Sequence, residues 1–260
     1  MNNEELIKKI TQKKEFSQLP EKDIEMAFEK FNKEHLTDEE KIKKTRDLLR
    51  KVFSGFTSQK LLSLKDKDAD WILRKHLSTR ERISNYEEIY RRILKRAGKK
   101  VSIVDLGAGV NGFSHKYFGK VGFIVNYVAV EAMGQLVTLM NNYFTQHKVK
   151  ARAIHLSLFQ LKRLKELIKK QKKPRVVFIF KVIDALETIE RDYSKKLIME
   201  ISSLADEIVL SFSTESMIKR KKFMVKRSWI LNFIGENFVI LDNFSLGGEK
   251  FIIFTKKKNL

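Results

Sequence analysis

A glycine-rich stretch in the middle of the chain carries the residues best suited to chemistry. Residues 101–105 are mostly apolar and β-branched up to an acidic end, which predicts a buried strand. Gly107, Gly109 and Gly112 follow, and glycine lets a backbone turn sharply and approach a ligand because it has no Cβ. About 20 residues further on, a second apolar run ends in Glu131. An acidic residue at a second strand tip can accept hydrogen bonds from ribose hydroxyls, so the pattern predicts a nucleoside-containing cofactor above the carboxyl ends of parallel strands.

Two cofactors fit this loop, and an ordinary strand-to-helix turn is the alternative that needs none. The spacing of Gly107, Gly109 and Gly112 matches the dinucleotide-binding pattern, which alone is a weak signal. Asp105 favours a different ligand, because an acidic residue just before the glycines is poorly placed beside a pyrophosphate. It suits a ligand with a cationic amino group, such as the methionine part of S-adenosylmethionine. We therefore favour S-adenosylmethionine over a nicotinamide dinucleotide.

The elements that must position this loop divide the chain in two. Residues 1–98 place apolar residues at helical spacing, with a capping box at Thr37-x-x-Glu40, and predict a small helical domain. Residues 99–260 alternate between strand and helix patterns, which indicates a parallel sheet, and one helix is expected over residues 185–204. The last two of seven predicted strands are joined by a Gly-Gly turn, as in an antiparallel hairpin. The second domain is therefore predicted to be an α/β, Rossmann-like fold.

The segment His76-Leu-Ser-Thr-Arg-Glu-Arg82 places two cations at an unusual position. Ser78-x-x-Glu81 matches a capping box, which predicts that a helix begins here. Arg80 and Arg82 would then lie in the first turn, where cations are unfavourable near the positive end of the helix dipole. We expect an anion, such as a cofactor carboxylate or an RNA phosphate, to offset that cost.

The chain is strongly basic, with a net charge of +21, and the excess is unevenly distributed. Residues 1–50 carry 12 basic and 12 acidic side chains, so the whole excess lies in residues 51–260. Such a surface favours a polyanion such as RNA or DNA, and a lysine-rich surface that serves only solubility is the alternative. The densest basic cluster is interleaved with Phe212, Phe223 and Trp229, as suits a nucleic acid with an unstacked base. Its members are Lys219, Arg220, Lys221, Lys222, Lys226 and Arg227.

Composition argues against several classes of protein and site. The chain has no cysteine, which excludes disulfides and thiolate metal sites, and its five histidines show no ligand spacing. No apolar run reaches the ~18 residues of a membrane span, and the N-terminus does not match a signal peptide. We therefore expect a cytoplasmic, monomeric protein that needs no metal ion.

Four motifs, in the same order, resemble the aminoglycoside-resistance 16S rRNA (guanine-N7)-methyltransferases over residues 60–260. Residues 76–82 are similar to the H-x-S-T-R-E-R segment that helps to hold S-adenosylmethionine, and residues 105–111 to the D-L-x-x-G-x-N loop. Residues 180–187 are similar to the L-K-x-x-x-x-L-E strand-to-helix junction, and residues 211–224 to the substrate-facing loop S-F-P-T-x-S-L-x-x-R-x-K-x-M. The resemblance implies a class I methyltransferase that modifies N7 of a guanosine in 16S rRNA of the 30S subunit.

Together with the loop pattern, the resemblance predicts the roles of individual residues. The predicted cofactor-binding residues are His76, Ser78, Arg80, Asp105, Gly107, Ala108, Gly109, Glu131, Ser157 and Lys181. Lys181 would lie where cofactor and base meet, and Arg220 and Lys222 would complete the catalytic group by binding phosphate or a flipped guanine. The predicted RNA-binding residues are Lys219, Arg220, Lys221, Lys222, Met224, Lys226 and Arg227, and the helical domain is expected to bind RNA or the ribosome.

The sequence departs from the family pattern at positions that bear on the target. Ser213, Glu215, Ile218 and Lys219 stand where the resistance enzymes usually have Pro, Arg and two Gly. Residues 155–158, His-Leu-Ser-Leu, lack the acidic residue that often lies near the adenine. A methyltransferase of tRNA or of another rRNA nucleotide is therefore one alternative, and a non-catalytic RNA-binding or ribosome-assembly protein is another. An NAD-dependent enzyme is the third, although we identify no catalytic Tyr-Lys or His-Asp set for it.

Overall fold

Seven strands form one sheet in the part of the chain that the computed structural model describes, residues 1–54, 68–214 and 227–257. The strands are Lys100–Leu106 (β1), Ile124–Glu131 (β2), Ala151–His155 (β3), Arg175–Phe180 (β4), Glu207–Ser213 (β5), Phe238–Leu246 (β6) and Glu249–Lys256 (β7). Their order is β3-β2-β1-β4-β5-β7-β6; β1 to β5 are parallel, and β7 is antiparallel to both of its neighbours. This topology confirms the predicted α/β sheet with its terminal antiparallel hairpin.

Helices cover both faces of the sheet. They are Asn3–Thr11 (α1), Glu21–Glu29 (α2), Asp38–Leu49 (α3), Ala69–Lys75 (α4), Leu77–Arg80 (α5), Tyr86–Ile93 (α6), His115–Lys120 (α7), Gly134–Gln146 (α8), Leu161–Lys169 (α9), Ile183–Ile189 (α10), Tyr193–Ser202 (α11) and Ser228–Asn237 (α12). A π-helical turn at Arg50–Ser54 continues α3, and a 3-10 turn at Asn111–Ser114 precedes α7. None of these described helices is both long enough and apolar enough to cross a membrane.

The order of the strands reverses direction at β1. The strands β2 and β3 lie on one side of β1, whereas β4 and β5 lie on the other. A crevice forms at the carboxyl ends of the strands at such a point, because the loops that follow leave in opposite directions. Leu106 of β1 pairs with Val130 of β2, and Asp105 pairs with Phe178 of β4. The sheet therefore brings the glycine loop, the tip of β2 and the end of β4 to the same edge.

Two apolar cores lie on the two faces of the sheet. On one face, side chains of α9, α11 and α12 pack against the strands, with Leu164, Leu197 and Ile230 fully buried. On the other face, the N-terminal helices share a core with the sheet, in which Phe28 of α2 and Phe178 of β4 belong to one buried cluster. Burial of such large side chains in a shared core binds the helical region to the sheet. The domain boundary at residue 98 stays a prediction.

One predicted capping box is confirmed and the other is wrong. Thr37 and Glu40 make both reciprocal hydrogen bonds at the start of α3. The box predicted at Ser78 and Glu81 is not formed, because the Ser78 hydroxyl lies 2.9 Å from Nδ1 of His76 and bonds the imidazole instead. The segment makes only the four-residue helix α5, and a turn then leads to α6.

The single helix expected over residues 185–204 is two helices, α10 and α11. The break lies at Asp192, whose φ of 62° falls in the left-handed region. The carboxylate of Glu187 accepts hydrogen bonds from the backbone N–H groups of Asp192 (2.6 Å) and Ser194 (2.9 Å). These bonds satisfy donors that the interrupted helix leaves without partners, so they stabilise the break.

Candidate functional site

A pocket opens at the carboxyl ends of β1, β2 and β4. The loops after these strands line it, together with residues that follow β3, one side chain of α2 and the segment around α5. Six of the residues predicted from the sequence meet in its lining: His76, Ser78, Gly107, Gly109, Glu131 and Lys181. The fold therefore gathers residues from four separate segments of the chain at one cavity.

The loop after β1 depends on glycine at two positions. Gly107 has φ +68° and Gly109 has φ +55°, both in the left-handed region. A Cβ on Gly107 would lie 2.4 Å from Cγ2 of Val182, and a Cβ on Gly109 would lie 3.0 Å from Cε1 of His76. The backbone N–H of Gly107 donates to the carbonyl oxygen of Val130 at 2.9 Å, which ties the loop to β2. A side chain at Gly107 would therefore be both strained and obstructed.

The carboxylate of Glu131, at the end of β2, accepts a hydrogen bond from the backbone of the glycine loop. Its Oε2 accepts a hydrogen bond from the N–H of Gly109 (2.8 Å), and its Oε1 accepts one from the N–H of Met133 (2.9 Å). Burial raises the pKa of Glu131, and these backbone donors oppose the rise. Carboxylate oxygens can each accept more than one hydrogen bond, so Glu131 can also accept from hydroxyls of a ligand in the pocket.

His76 faces the glycine loop from the helical region and is 4% exposed. Burial lowers the pKa of His76 to about 3, and the cations of Arg82 and Lys181 add to this effect. The imidazole is therefore neutral near pH 7, and its bond to the Ser78 hydroxyl fixes its orientation. Because Cε1 of the ring packs against Gly109, a fixed polar edge lies beside the loop.

Asp105 lies beneath the loop and is not part of the pocket lining. Its Oδ2 accepts hydrogen bonds from the Tyr127 hydroxyl (2.5 Å) and from Nδ2 of Asn111 (2.7 Å). Burial raises the pKa of Asp105 to about 6, and these two hydrogen bonds oppose the rise. Asp105 thus holds the loop through the side chain of Asn111. Direct contact with a cofactor amine stays a prediction that this geometry does not favour.

Lys181 belongs to a buried charge network. Its Nζ lies 3.1 Å from Oε2 of Glu249, on β7, and also pairs with Glu81. Glu249 in turn accepts hydrogen bonds from Nε of Arg82 (2.8 Å) and from the hydroxyl of Ser211. Burial disfavours the ionised form of Glu249, but Arg82 and Lys181 outweigh this and hold its pKa below the usual value. The network therefore fixes Lys181 at the edge of the pocket.

The predicted position of Arg82, in the first turn of a helix, is wrong. Its guanidinium is 2% exposed and lies 4.8 Å above the ring of Phe180. The anion that compensates it is Glu249, which is 167 residues away in sequence. The sequence predicts an anion beside Arg82, but no local pattern identifies Glu249 as that anion because it lies so far along the chain.

Asp23 is a pocket residue that the sequence analysis does not identify. It lies on α2 with 2% exposure, and its Oδ2 has no hydrogen-bond partner among the described residues. Burial raises the pKa of Asp23 to about 7; a hydrogen bond from Ser157 opposes the rise, and the charge of Glu131 adds to it. The sequence did contain a signal for a buried acidic residue. Asp23 precedes Ile24 and lies four residues before Ala27, which places it on the buried side of an amphipathic helix.

Three other predicted cofactor residues lie outside the pocket lining. Arg80 is exposed at the end of α5. Ala108 is buried, and its N–H donates to the carbonyl oxygen of Val130 at 3.1 Å. Ser157 is fully buried, and its hydroxyl accepts a hydrogen bond from the N–H of Phe159 at 3.1 Å. Their roles in cofactor binding stay predictions.

The predicted RNA-binding residues lie mostly outside the described part of the chain. Arg227 is described, and its guanidinium is buried, 2.5 Å from the carboxylate of Asp184 and 3.0 Å from the carbonyl oxygen of Ser213. It also lies over the ring of Phe212. This setting does not favour a role in RNA contact, which stays a prediction. The residues outside the described ranges are Lys219, Arg220, Lys221, Lys222, Met224 and Lys226.

Known protein families and proteins resemble this chain over most of its length. A family model described as ribosomal RNA methyltransferase (FmrO) matches residues 35–230. A 16S rRNA (guanine(1405)-N(7))-methyltransferase of Proteus mirabilis is 25% identical over 197 residues, which are 71% of this chain and 64% of that protein. A protein of the same name from Micromonospora rosea is 29% identical over 149 residues, 57% of this chain and 51% of that protein. The matches therefore span less than two thirds of either relative.

A solved structure shares the fold over nearly the whole chain. The 16S rRNA methyltransferase RmtF, in complex with S-adenosyl-L-homocysteine, superposes with a TM-score of 0.82 at 17% identity. The match covers 99% of this chain and 100% of that one. At this identity the likeness establishes the fold alone, and it confirms the predicted Rossmann-like class I methyltransferase fold.

Proposed function

Because the chain belongs to the ribosomal RNA methyltransferase (FmrO) family, we propose that it transfers a methyl group from S-adenosylmethionine to N7 of a guanosine in 16S rRNA. The observation that carries this proposal is the pocket in which Glu131 holds the glycine loop at the carboxyl ends of the strands. The relatives from Proteus mirabilis and Micromonospora rosea, which are named as enzymes of this kind, support the choice of target.

The residues of the pocket fit S-adenosylmethionine, which supplies a methyl group on a positively charged sulfur when bound. Gly107 and Gly109 let the loop pack closely against Val182 and His76 in the pocket lining, where a Cβ would be obstructed. Glu131 lines the pocket with a carboxylate that can accept hydrogen bonds from ribose hydroxyls. His76 and Ser78 offer neutral polar groups at the side of the loop. We assign the ribose to Glu131 and the methionine part to the side of His76.

In the proposed reaction, the protein positions the cofactor and the guanine and does not need to transfer a proton. Guanine N7 has a free lone pair, so no residue has to act as a general base. Glu81, Glu249 and the carbonyl oxygen of Ser78 hold Lys181 at the edge of the pocket, which fixes its positive charge where base and cofactor are proposed to meet. Positioning and exclusion of water are the chain's main contributions in this proposal. Arg220 and Lys222 are proposed to bind phosphate or the flipped guanine.

The proposed partner is the 30S subunit, which presents 16S rRNA to the basic part of the chain. All of the net charge of +21 lies in residues 51–260, and a basic surface attracts the phosphates of RNA. We further propose that the protein acts as a monomer in the cytoplasm, without a metal ion, and that its helical region, residues 1–98, takes part in binding the subunit.

The proposal is tested by mapping the methylated nucleotide. The protein is incubated with radioactive S-adenosylmethionine and, separately, with 30S subunits, free rRNA and tRNA. We expect label in 16S rRNA at one guanosine, and strand scission after reduction and aniline treatment should identify N7. Label in tRNA or at another rRNA nucleotide would retain the activity and replace the target. Calorimetry that detects no cofactor binding, with no label in any RNA, would contradict the enzyme assignment.

A further inference from the structure

A carboxylate from the helical region reaches the pocket at the side of β2 and β3. Asp23, on α2, is 2% exposed and lines the pocket, and its buried Oδ2 has no hydrogen-bond partner among the described residues. Its neighbours are the Ser157 hydroxyl, which follows β3, and the carboxylate of Glu131 at the tip of β2. A buried acceptor without a donor is costly, so a ligand that brings a donor would remove that cost.

Apolar side chains line the same side of the pocket. Met133 and Leu136 follow β2, and Leu158 and Phe159 follow β3. Apolar walls with few polar groups suit a flat heterocycle, whose faces need no hydrogen bonds and whose edge does. The polar atom available here is an acceptor, so it selects a ring with a donor at its edge.

The arrangement of the pocket places the base of the cofactor on the side of β3, where Asp23 lies. Glu131 binds Gly109 through one oxygen, and His76 lies beyond that loop. If the ribose lies at Glu131 and the methionine part lies towards His76, the base must extend the other way, towards β3. That direction leads to Asp23 and Ser157.

We propose that Asp23 accepts a hydrogen bond from the exocyclic amino group of the adenine, and so makes the pocket selective for an adenine nucleoside. This inference rests on the proposed function. The segment after β3 has no acidic residue of its own, and the Ser157 hydroxyl there acts to lower the pKa of Asp23. The selecting group is thus supplied by the N-terminal helices rather than by the sheet. The ionised carboxylate can only accept hydrogen bonds, whereas the neutral form can also donate one, so the selectivity for an amino group is expected above pH 7.

The test compares two ligands on each protein variant by calorimetry. The ligands are S-adenosylhomocysteine and S-inosylhomocysteine, which carries a carbonyl oxygen in place of the amino group. At pH 8.5, where Asp23 is ionised, wild type should bind the adenosine compound about 10- to 100-fold more tightly, since the carbonyl oxygen would face an acceptor. Asp23→Leu should reduce this ratio to about threefold or less. The matched control is Glu29→Leu, because Glu29 is exposed on the same helix.

A second variant is expected to gain affinity for one ligand, and a partial loss of folded protein cannot produce such a gain. Asp23→Asn presents an N–H donor in the same place, so it should bind S-inosylhomocysteine about tenfold more tightly than wild type does. An unchanged ratio in both Asp23 variants, or a wild type that does not discriminate, would overturn the assignment of Asp23 and leave the proposed function intact. A wild type that binds neither compound would overturn the proposed function, and the inference with it.

Discussion

Three buried carboxylates of this site differ in how fully the protein compensates them. Glu249 has two cations and a hydroxyl, and its pKa is lowered despite burial. Glu131 has backbone N–H donors and no cation, and burial raises its pKa. Asp23 has one hydroxyl, and burial raises its pKa to about 7. Because a buried carboxylate is stable only when it is paired or hydrogen-bonded, the least compensated of the three is the one best prepared to receive a donor from a ligand.

Glu131→Ala should weaken the binding of S-adenosylhomocysteine by about 1–3 kcal/mol, as expected for loss of a charge-assisted hydrogen bond. Part of the loss will come from the loop, because the variant also removes the bond to the N–H of Gly109. Isothermal titration calorimetry measures the change. Glu166→Ala, at an exposed position of α9, serves as the control. Unchanged affinity in the Glu131 variant would exclude this residue from ribose binding.

Asp23→Asn should stabilise the ligand-free protein at high pH. The pKa of Asp23 is about 7 when folded and 3.8 in the reference state, so the folded protein keeps a proton that the unfolded chain gives up between about pH 4 and 7. Wild-type stability therefore falls as the pH rises through this window. The free-energy advantage of the variant should grow by about 1–4 kcal/mol between pH 4.5 and pH 8.

Urea unfolding at the two pH values measures this advantage. Glu131 and Tyr193 also act on Asp23 or feel its charge, but both are present in wild type and variant. Glu29→Gln, which removes an exposed charge from α2, should show no such pH dependence. An advantage of Asp23→Asn that is the same at both pH values would contradict the raised pKa.

Among the elements, strands were predicted better than helix ends. The central strands, such as β2 and β4, are mostly apolar runs, and burial in a sheet requires that pattern. The break between α10 and α11 was missed because it has neither glycine nor proline; it depends on Glu187 bonding two backbone N–H groups. The helix start predicted at Ser78 is wrong because the neighbouring imidazole of His76 bonds the hydroxyl that would have capped the helix.

The pairs that complete the site could not be predicted from local patterns. Arg82 and Glu249 are 167 residues apart, and the antiparallel insertion of β7 brings them together. Asp23 reaches the pocket because α2 packs on the same core as the sheet. The glycine loop and Glu131, by contrast, were predictable, since both follow adjacent strands whose ends the topology fixes.

Gly107→Ala should abolish cofactor binding and destabilise the protein. The new Cβ would lie 2.4 Å from Val182, on a backbone with φ +68°. Gly119→Ala is the matched control, because Gly119 lies in α7 with nothing within 4 Å of its added Cβ. It should leave binding unchanged and stabilise the protein by about 0.5–1 kcal/mol. Thermal unfolding and calorimetry test both, and normal binding by Gly107→Ala would contradict the requirement for glycine in this turn.

At the scale of the whole molecule, the pocket is lined by residues from two parts of the chain that differ in net charge. Residues 1–50 are neutral overall and supply Asp23, whereas residues 51–260 carry the charge excess and supply the sheet edge. Binding of a small cofactor and attraction of RNA therefore depend on different parts of the surface. The two processes can be distinguished by their response to salt and by separate substitutions.

RNA affinity should fall steeply with salt. Each phosphate contact is expected to contribute about −0.7 to −0.9 to the slope of log affinity against log salt concentration. Binding of S-adenosylhomocysteine should change little over the same range, because it releases few counterions. Filter binding with 30S subunits or rRNA, beside calorimetry with the small ligand, gives both slopes. RNA affinity that does not respond to salt would contradict a basic binding surface.

Separate substitutions should distinguish the two sides of the active site. Arg80→Ala should weaken cofactor binding if Arg80, which is exposed beside the pocket segment, turns to pair with the cofactor carboxylate. RNA affinity should change little. Arg220→Ala and Lys222→Ala should leave cofactor affinity near that of wild type and strongly lower single-turnover methylation. Their RNA affinity should fall only modestly, since many other cations contact phosphate.

Arg191→Ala is the control for charge alone, because this side chain is 94% exposed and lies outside the motifs. It should reduce RNA affinity about as much as either loop variant without lowering methylation of saturating RNA. That difference would assign Arg220 and Lys222 to positioning of the target base, since general attraction of phosphates is the same in all three variants. Normal methylation by the loop variants would instead mean that residues 219–222 form a solvated basic surface with no part in catalysis.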